Sequence, residues 1–245
     1  MAEFALVMPM AGRGSRFANG GASVPKPLQQ LWGRPFYWWA VESARRAFQP
    51  VETIFVILRE HDEQFALGLR TTDDLRDARF AVIDAVTCGA AETAKIAVEQ
   101  LDHRGPLVVN DTDHAFACAP ELTASLAEEP RSALLTFEAD SPSYSYAPFG
   151  PGGRVAGTDE KEVVSSDATP GAYVFASPSD FLEAYAGYEG ECRYAETFVS
   201  GLFDRLIVHQ RPVSAHRLEA HLSFGTPEEL QALAPTPTSP WASWL

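Results

Sequence analysis

The sequence has few cysteines, little positive charge and no long apolar run. Its 245 residues include 3 cysteines, at positions 88, 118 and 192, and these share no CxxC spacing. The first residues show no charged segment followed by an apolar one, as a secretory leader would. The sequence therefore indicates neither a disulfide framework nor secretion, which predicts a cytoplasmic protein. No apolar run approaches the roughly 18 to 20 residues that a membrane-spanning helix needs. We accordingly expect no membrane association.

The deficit of positive charge excludes one large class of function. Lysine and arginine total 19 against 33 aspartates and glutamates, which gives a formal net charge of -14. A general nucleic-acid binder needs a cationic surface to displace counterions from phosphates, so no nucleic-acid partner is expected. Any phosphate group that the protein binds must be met by a local cluster of cations.

Apolar runs and helical spacing alternate along the first half of the chain. Runs at 4–8, 53–58, 80–84 and 106–110 predict short buried strands, and segments 35–48 and 91–101 have helical spacing. Such alternation favours an α/β fold with a mixed, mostly parallel central sheet flanked by helices. Strand-like segments at 133–137, 144–149, 154–158 and 171–175 predict an α+β extension of the same sheet.

We expect one domain of two halves and a tail. The first half is residues 1–131 and the second half is residues 132–234. The Pro-rich tail, 235–245, is expected to be extended or loosely held, with Trp241 and Trp244 pinning its end.

The segment PMAGRGSRFANGGASVPKPL, residues 9–28, follows the first predicted strand. Its glycines would let backbone N–H groups turn inward and form a nest for phosphate oxygens. Arg13, Arg16 and Lys26 would add positive charge. Taken alone, the segment is equally consistent with a Gly-rich surface loop. It is neither a Walker loop nor a dinucleotide-binding fingerprint.

The loop and four further segments together match the motifs of a known family, in the same order along the chain. The chain resembles the sugar-phosphate nucleotidylyltransferases through the loop with its PKPL ending, TCGAAETAKIA (87–97), LVVNDTDHAF (107–116), the segment 143–175 and FGTPEEL (224–230). The resemblance implies a nucleotide-diphospho-sugar transferase-like, Rossmann-like fold. The first half would bind the nucleotide, and the second half would bind the acceptor.

The resemblance also implies a reaction and a set of residues. A nucleoside triphosphate (NTP) would be joined to a phosphorylated small molecule with release of pyrophosphate, assisted by Mg²⁺. The catalytic residues would be Arg16, Lys26 and Asp113, with Asp113 as the metal ligand and Asp111 as the alternative ligand. The nucleotide-binding residues would be Met10, Ala11, Gly12, Arg13, Gly14, Ser15, Thr87, Gly89 and Ala90. The acceptor-binding residues would be His114, Tyr146, Glu160 and Lys161.

One departure from the family pattern keeps other interpretations open. Where relatives carry a second metal-binding aspartate, two residues before the glycine of the GTP segment, this chain has Ser223. A metal-dependent glycosyltransferase would share the sheet and an Asp-x-Asp element, which Asp111 to Asp113 match. A catalytically inactive nucleotide-binding relative is the other alternative. The opening loop argues against the first, because a glycosyltransferase has no need to grip pyrophosphate.

The sequence leaves the two substrates unnamed. We expect a pyrimidine nucleotide rather than a purine nucleotide. The acceptor is a sugar 1-phosphate, a polyol phosphate or a phosphorylated amino-acid derivative. A homo-oligomer is compatible with the sequence.

Overall fold

The structure is a computed structural model that describes residues 2–68 and 78–245. The strands are β1 Ala5–Pro9, β2 Gln30–Leu31, β3 Arg34–Pro35, β4 Glu52–Leu58, β5 Arg79–Ile83, β6 Leu107–Asn110, β7 His114–Ala117, β8 Ser132–Glu138, β9 Ser145–Tyr146, β10 Asp159–Glu160, β11 Asp167–Thr169, β12 Ala172–Phe175, β13 Val213–Arg217 and β14 Ala220–Ser223. The α-helices are α1 Ser15–Asn19, α2 Phe36–Phe48, α3 Arg59–Phe65, α4 Ala90–Val98, α5 Pro120–Glu128, α6 Pro178–Tyr188, α7 Gly201–Val208 and α8 Pro227–Ala232. Short 3-10 turns span Lys26–Leu28, Pro151–Gly153 and Trp241–Ser243.

One large mixed sheet organises the described part of the chain. Its strand order is β10-β9-β11-β8-β12-β6-β1-β4-β5, and β13 pairs with β8 off this path. Strand β1 is parallel to β4 and β6, and β4 is parallel to β5. Strand β12 is antiparallel to both β6 and β8. The predicted α/β fold is therefore confirmed, with the parallel pairs of the first half continued by the second half, whose strands are antiparallel except for β13, which is parallel to β8.

Helices cover both faces of this sheet. Because successive strand residues point to opposite faces, Ala5 and Val7 of β1 contact a cluster that includes α4, α6 and α7. Leu6 and Met8 contact a second cluster that includes α2 and α5. All four residues are 0% exposed, so β1 is the middle layer of the core. The uninterrupted apolar run of β1 is what burial on both faces requires.

Part of the second half differs from the sequence prediction. The predicted strand at 144–149 is reduced to Ser145–Tyr146, and 154–158 forms no strand beyond an isolated pairing of Phe149 with Val155. Pro148 and Pro151 cannot donate ladder hydrogen bonds. Thr158 instead donates its backbone N–H to Asp204 Oδ1 at 2.6 Å and its hydroxyl to the Ser200 carbonyl at 2.9 Å. The segment is thus docked onto α7 rather than added to the sheet.

The C-terminal tail folds back onto the first half. Trp241 is 3% exposed, and its ring contacts that of Trp244 at 4.7 Å between centroids. Trp244 in turn stacks on Trp39 of α2 at 6.2 Å. The two tryptophans therefore hold the tail end against α2. No helix among the described residues is long and apolar enough to cross a membrane.

Candidate active site

A cleft of about 230 Å³ lies between the two halves of the chain. Arg16, Ala90, Asp111 and Asp113 line it from the first half. Its lining from the second half includes Tyr144, Glu160, Lys161, Glu196, Phe198, Ser223 and Glu229. The two aspartates follow Asn110, the last residue of β6. Open α/β sheets bind their ligands at this carboxyl edge.

The Gly-rich loop positions Lys26, which pairs with the cleft residue Asp113, through one close approach. Gly14 has φ +60°, and a β-carbon there would lie 2.7 Å from Cβ of Lys26. A larger residue would therefore be strained in its backbone and would also push Lys26 away. Gly14 immediately precedes α1, whose second residue is Arg16. Both the position of Lys26 and the entry into α1 thus depend on glycine at 14.

Lys26 and Asp113 form the central ion pair of the site. Lys26 Nζ donates to Asp113 Oδ2 at 2.5 Å, and the two side chains are 23% and 26% exposed. Burial alone would raise the pKa of Asp113, but the Lys26 ammonium holds that pKa below its ordinary value. Asp113 is thus a carboxylate with a cation already beside it. The pair joins the loop after β1 to the loop after β6.

Asp111, two residues earlier, has a different environment. Its backbone N–H donates to the Gly171 carbonyl at 2.9 Å. Gly171 has φ +94°, and a β-carbon there would lie 2.7 Å from Asp111 Oδ2. Burial raises the pKa of Asp111, and the nearby Asp113 carboxylate raises it further. Asp111 is therefore held against the second half, whereas Asp113 meets the loop lysine.

The segment predicted to contact the base is fixed by Thr197. Its N–H donates to Cys88 O and its carbonyl accepts from Ala91 N–H, both at 2.9 Å. A β-carbon at Gly89 would lie 2.5 Å from both Thr197 N and O. Thr87 turns inward and donates to the Gly89 carbonyl at 2.9 Å. Of this segment, Ala90 lines the cleft.

The other residues predicted to bind the nucleotide differ in how exposed they are to solvent. Met10 and Ala11 are each 1% exposed, whereas Gly12 and Ser15 are exposed. The Arg13 side chain is 62% exposed and forms an ion pair with Glu60 at 3.2 Å. Arg16, in contrast, lines the cleft. The roles of these residues in nucleotide binding stay predictions.

Glu160 and Lys161 both line the cleft, with different partners. Glu160 Oε2 accepts hydrogen bonds from the hydroxyls of Ser145 and Ser200, the latter at 2.8 Å. Lys161 has φ +58°, and its Nζ lies 5.0 Å from the centre of the Phe198 ring. Glu160 is thus held by protein hydroxyls, and Lys161 contacts an aromatic face.

Tyr146 is not among the residues that line the cleft, although the residues just before it are. Its side chain is 0% exposed, and its hydroxyl donates to the Ser141 carbonyl at 2.7 Å. Tyr144 and Ser145 are the lining residues of this segment. The assignment of Tyr146 as an acceptor contact stays a prediction, and Tyr144 is the tyrosine of this segment that lines the cleft.

Glu229 is a lining residue that the sequence analysis did not assign. Its Oε1 accepts a hydrogen bond from the Tyr144 hydroxyl at 2.6 Å, and its Oε2 accepts from Thr226 N–H at 3.0 Å. A β-carbon at Gly225 would lie 2.5 Å from Asp113 Oδ2 and 3.4 Å from Glu229 Oε2. The T-P-E-E spacing predicts the capping box that α8 has. Nothing in that spacing indicates that Glu229 reaches Tyr144.

His114 is a buried polar residue at the floor of the cleft. It is 2% exposed, and the backbone of Gly171 lies close enough to its ring to raise its pKa, although neither ring nitrogen makes a hydrogen bond of regular geometry among residues 2–68 and 78–245. Its ring stacks on Phe116 at 5.7 Å and contacts His221 at 5.9 Å. Burial lowers the pKa of His114 to about 4. The imidazole is therefore neutral at pH 7.

The oxygen donors of the cleft fit magnesium better than a transition metal. Within the described residues, no group of three or more His, Cys, Asp or Glu side chains is arranged to hold a metal ion. Mg²⁺ usually binds through one or two carboxylates together with substrate phosphates and waters. Asp113 at the cleft meets that requirement. Mg²⁺ therefore does not need a complete set of protein ligands here, because substrate phosphates and waters supply the others.

Comparison with known proteins gives structural likeness only, because no family model and no curated protein matches the sequence. A crystal structure of a nucleoside-diphosphate-sugar pyrophosphorylase from Vibrio cholerae RC9 is 24% identical, with a TM-score of 0.79 over 92% of this chain and 98% of that one. A candidate glucose-1-phosphate thymidylyltransferase from Bacillus anthracis, solved with sucrose, is 16% identical, with a TM-score of 0.74 over 94% and 93%. The inositol-1-phosphate CTP transferase from T. maritima is 14% identical, with a TM-score of 0.75 over 94% and 92%. The chain therefore has the α/β fold of the sugar-phosphate nucleotidylyltransferases, over nearly its whole length.

Proposed function

We propose that the protein is a magnesium-dependent nucleotidylyltransferase that joins an NTP to a phosphorylated small molecule. The observation that carries the proposal is the 2.5 Å bond between Lys26 Nζ and Asp113 Oδ2 at the cleft. A cation from a Gly-rich loop and a carboxylate at a strand end are the groups that phosphoryl chemistry requires. The likeness to solved nucleotidylyltransferases points the same way.

In the proposed reaction, a phosphate oxygen of the acceptor attacks the α-phosphorus of the NTP. A new P–O bond forms, the bond between the α-phosphorus and the bridging oxygen breaks, and pyrophosphate leaves with the electron pair. The protein mainly aligns the two phosphates and offsets their charge. Bound Mg²⁺ would be held by Asp113 and would neutralise charge on the phosphate oxygens.

The residues of the first half take the triphosphate. The backbone around Gly12 to Ser15 and the guanidinium of Arg16 bind the β- and γ-phosphates. Lys26 bridges the α-phosphate and the incoming phosphate, since an ammonium is a compact charge that can follow moving oxygens. Ala90, at the start of α4, faces the base. The proposed base is a pyrimidine rather than a purine.

The residues of the second half take the acceptor. Lys161 offsets the negative charge of the acceptor phosphate as that phosphate approaches the anionic triphosphate. Glu160 contacts a polar group of the acceptor. Tyr144, held by Glu229 at 2.6 Å, forms one wall of this part of the cleft. The acceptor part ends at His114 and Ser223 on the floor.

A pyrophosphate-release screen tests the proposal. CTP, UTP, dTTP, GTP and ATP are each combined with sugar 1-phosphates, polyol phosphates, aminoalkyl phosphates and phosphorylated amino-acid derivatives, with and without Mg²⁺. We expect release that requires both substrates and the metal, and that is lost in Lys26→Ala. Transfer from a nucleotide-activated sugar without pyrophosphate release would instead indicate a glycosyltransferase. Nucleotide binding without turnover of any pair would indicate an inactive relative.

A further inference from the structure

Position 223 is where the family resemblance leads one to expect a second metal-binding aspartate, and this chain has a serine there. Ser223 is the last residue of β14. The next residue, Phe224, donates its backbone N–H to the Asp113 carbonyl at 3.0 Å. Position 223 therefore lies beside the proposed metal ligand, but a hydroxyl cannot replace the charge of the missing carboxylate.

Gly225, two residues later, leaves room between two carboxyl groups. A β-carbon at Gly225 would lie 2.5 Å from Asp113 Oδ2, 3.3 Å from Asp113 Cγ and 3.4 Å from Glu229 Oε2, which are its three nearest heavy atoms among the described residues outside its chain neighbours. None of these three atoms belongs to the other acidic residues of the cleft, which are Asp111, Glu160 and Glu196. One oxygen of each carboxyl group thus faces the same point, which the glycine keeps free of a side chain. Such a carboxylate pair fits a small cation.

The Glu229 carboxylate is held in place by two hydrogen bonds. Its Oε2 accepts from Thr226 N–H at 3.0 Å, and its Oε1 accepts from the Tyr144 hydroxyl at 2.6 Å. Carboxylates that bind metals are usually oriented by hydrogen bonds of this kind. Both donors are neutral, so no cation is paired with Glu229 in the part of the chain that the structure describes. Its negative charge is therefore available, whereas that of Asp113 already faces Lys26.

Tyr144 joins Glu229 to position 223. Burial and the hydrogen bond to Glu229 raise the pKa of Tyr144, whereas a hydrogen bond with the Ser223 hydroxyl lowers it. Both side chains thus contact the same hydroxyl, and all three residues line the cleft. A glutamate reaching in from α8 therefore brings its carboxylate next to the position that an aspartate at 223 would occupy.

We infer that Glu229 is the second acidic residue of the Mg²⁺ site and takes the place of the aspartate that the family pattern has at 223. This inference deepens the proposed function and rests on it for the role of the ion. Mg²⁺ binds through one or two carboxylates together with substrate phosphates and waters. Asp113 and Glu229 supply the two carboxylates, and the charge of Glu229 adds to that of Asp113, which Lys26 partly offsets.

Metal binding is measured directly, without substrate, by electron paramagnetic resonance of Mn²⁺ as a probe for the Mg²⁺ site. Glu229→Gln removes the charge but can keep both hydrogen bonds, because the amide can accept from Thr226 N–H and donate to the Tyr144 hydroxyl. We expect Mn²⁺ affinity to fall by at least about tenfold, the loss that changing even an outer partner of a metal ligand commonly causes. Glu228→Gln is the matched control, because Glu228 is exposed in the same helical turn, and it should bind Mn²⁺ like the parent.

A carboxylate restored at position 223 separates metal binding from a structural role of Glu229. In the Glu229→Gln background, Ser223→Asp should return the Mn²⁺ affinity to near that of the parent, and Ser223→Asn should not. These two variants share one background and nearly one shape, so a difference between them reports the charge at 223. The Mg²⁺ concentration that gives half-maximal pyrophosphate release should rank the variants in the same order.

The outcomes separate the inference from the proposed function. Unchanged Mn²⁺ affinity in Glu229→Gln overturns the inference, and so does a loss that Ser223→Asp fails to restore. Absence of saturable Mn²⁺ binding to the parent overturns it as well, because a preformed pair of carboxylates should bind the ion without substrate. All three results leave the proposed transfer reaction intact if the screen shows pyrophosphate release. If no pair of NTP and acceptor releases pyrophosphate, the proposed function fails, and the Mn²⁺ titrations still decide whether Glu229 binds the metal.

Discussion

The two halves of the chain build their walls of the cleft with different kinds of structure. In the first half, β1 and β4 are 5 and 7 residues long, and they are paired in parallel along their length. In the second half, β9 and β10 have 2 residues each and so form few backbone hydrogen bonds. Side-chain hydrogen bonds hold Glu160 in place instead. Tyr194 accepts a hydrogen bond from Glu160 N–H at 3.0 Å, and Ser200 donates to the Glu160 carboxylate at 2.8 Å. The proposed triphosphate side is therefore fixed by backbone pairing and the proposed acceptor side by replaceable side chains, an arrangement that would suit a fixed chemistry with a variable acceptor.

Lys26→Ala gives the largest expected effect and tests whether the chemistry belongs to the first half. We expect turnover to fall by several hundredfold or more, about 4 kcal/mol of transition-state stabilisation, while NTP affinity falls much less. The measurement is kcat by pyrophosphate release together with calorimetric titration of NTP. Lys95→Ala is the control, because Lys95 lies on α4 and pairs with Glu99 at 3.2 Å. Equal turnover in Lys26→Ala and the parent would remove Lys26 from the mechanism.

Two aspartate variants test which of the two carboxylates of the first half holds Mg²⁺. Asp113→Asn removes the charge that faces Lys26, and we expect a loss of at least about a hundredfold in Mg²⁺-dependent turnover, near 3 kcal/mol. Asp111→Asn should retain a substantial fraction of activity, because Asp111 lies against Gly171. Both variants are assayed over a Mg²⁺ titration. The opposite ranking would make Asp111 the ligand.

Gly89→Ala tests the contact that joins the halves. The added β-carbon would meet backbone atoms of Thr197 at 2.5 Å, so overpacking and backbone strain together should lower the free energy of unfolding by about 3 kcal/mol. Gly190→Ala is the matched control, since no atom lies within 4 Å of its β-carbon position. It should stay within about 0.5 kcal/mol of the parent. Denaturant unfolding of the parent and the two variants measures both changes in free energy. Equal midpoints for all three would mean that Thr197 can move aside at little cost.

Lys161→Ala is expected to affect the second half alone. A charge-assisted hydrogen bond to the acceptor phosphate contributes roughly 1.5 to 3 kcal/mol, so acceptor use should weaken by about ten- to a hundredfold. The checks are NTP titration without acceptor and steady-state rate against acceptor concentration. An unchanged dependence of the rate on acceptor concentration would leave Lys161 with only a structural role, its contact with the Phe198 ring. Loss of NTP binding would move it to the triphosphate side and break the division between the halves.

The first half was predictable from local sequence, and the second half only in outline. The runs 4–8 and 54–58 are apolar at every position because both faces of a central parallel strand are buried, and the observed strands start and end within a residue of the predicted 4–8 and 53–58. The segment 154–158, RVAGT, is also a predicted strand but forms none beyond the isolated pairing of Val155 with Phe149. Its Thr158 is bound by Asp204 and Ser200, residues more than forty positions away that no local pattern reveals.

The sequence by itself determined the α/β fold, the Gly-rich loop with Lys26 and the acidic strand end with Asp113, because each is a local signal of burial, backbone freedom or charge. The tertiary structure alone decided which aspartate meets Lys26, that Tyr144 rather than Tyr146 faces the cleft, and that Glu229 reaches Tyr144. It also buried His114, which is 2% exposed, beside the backbone of Gly171. These outcomes depend on strand register and on contacts between distant segments. A shift of one residue turns every side chain of a strand to the opposite face, so only the assembled sheet determines which groups share the cleft.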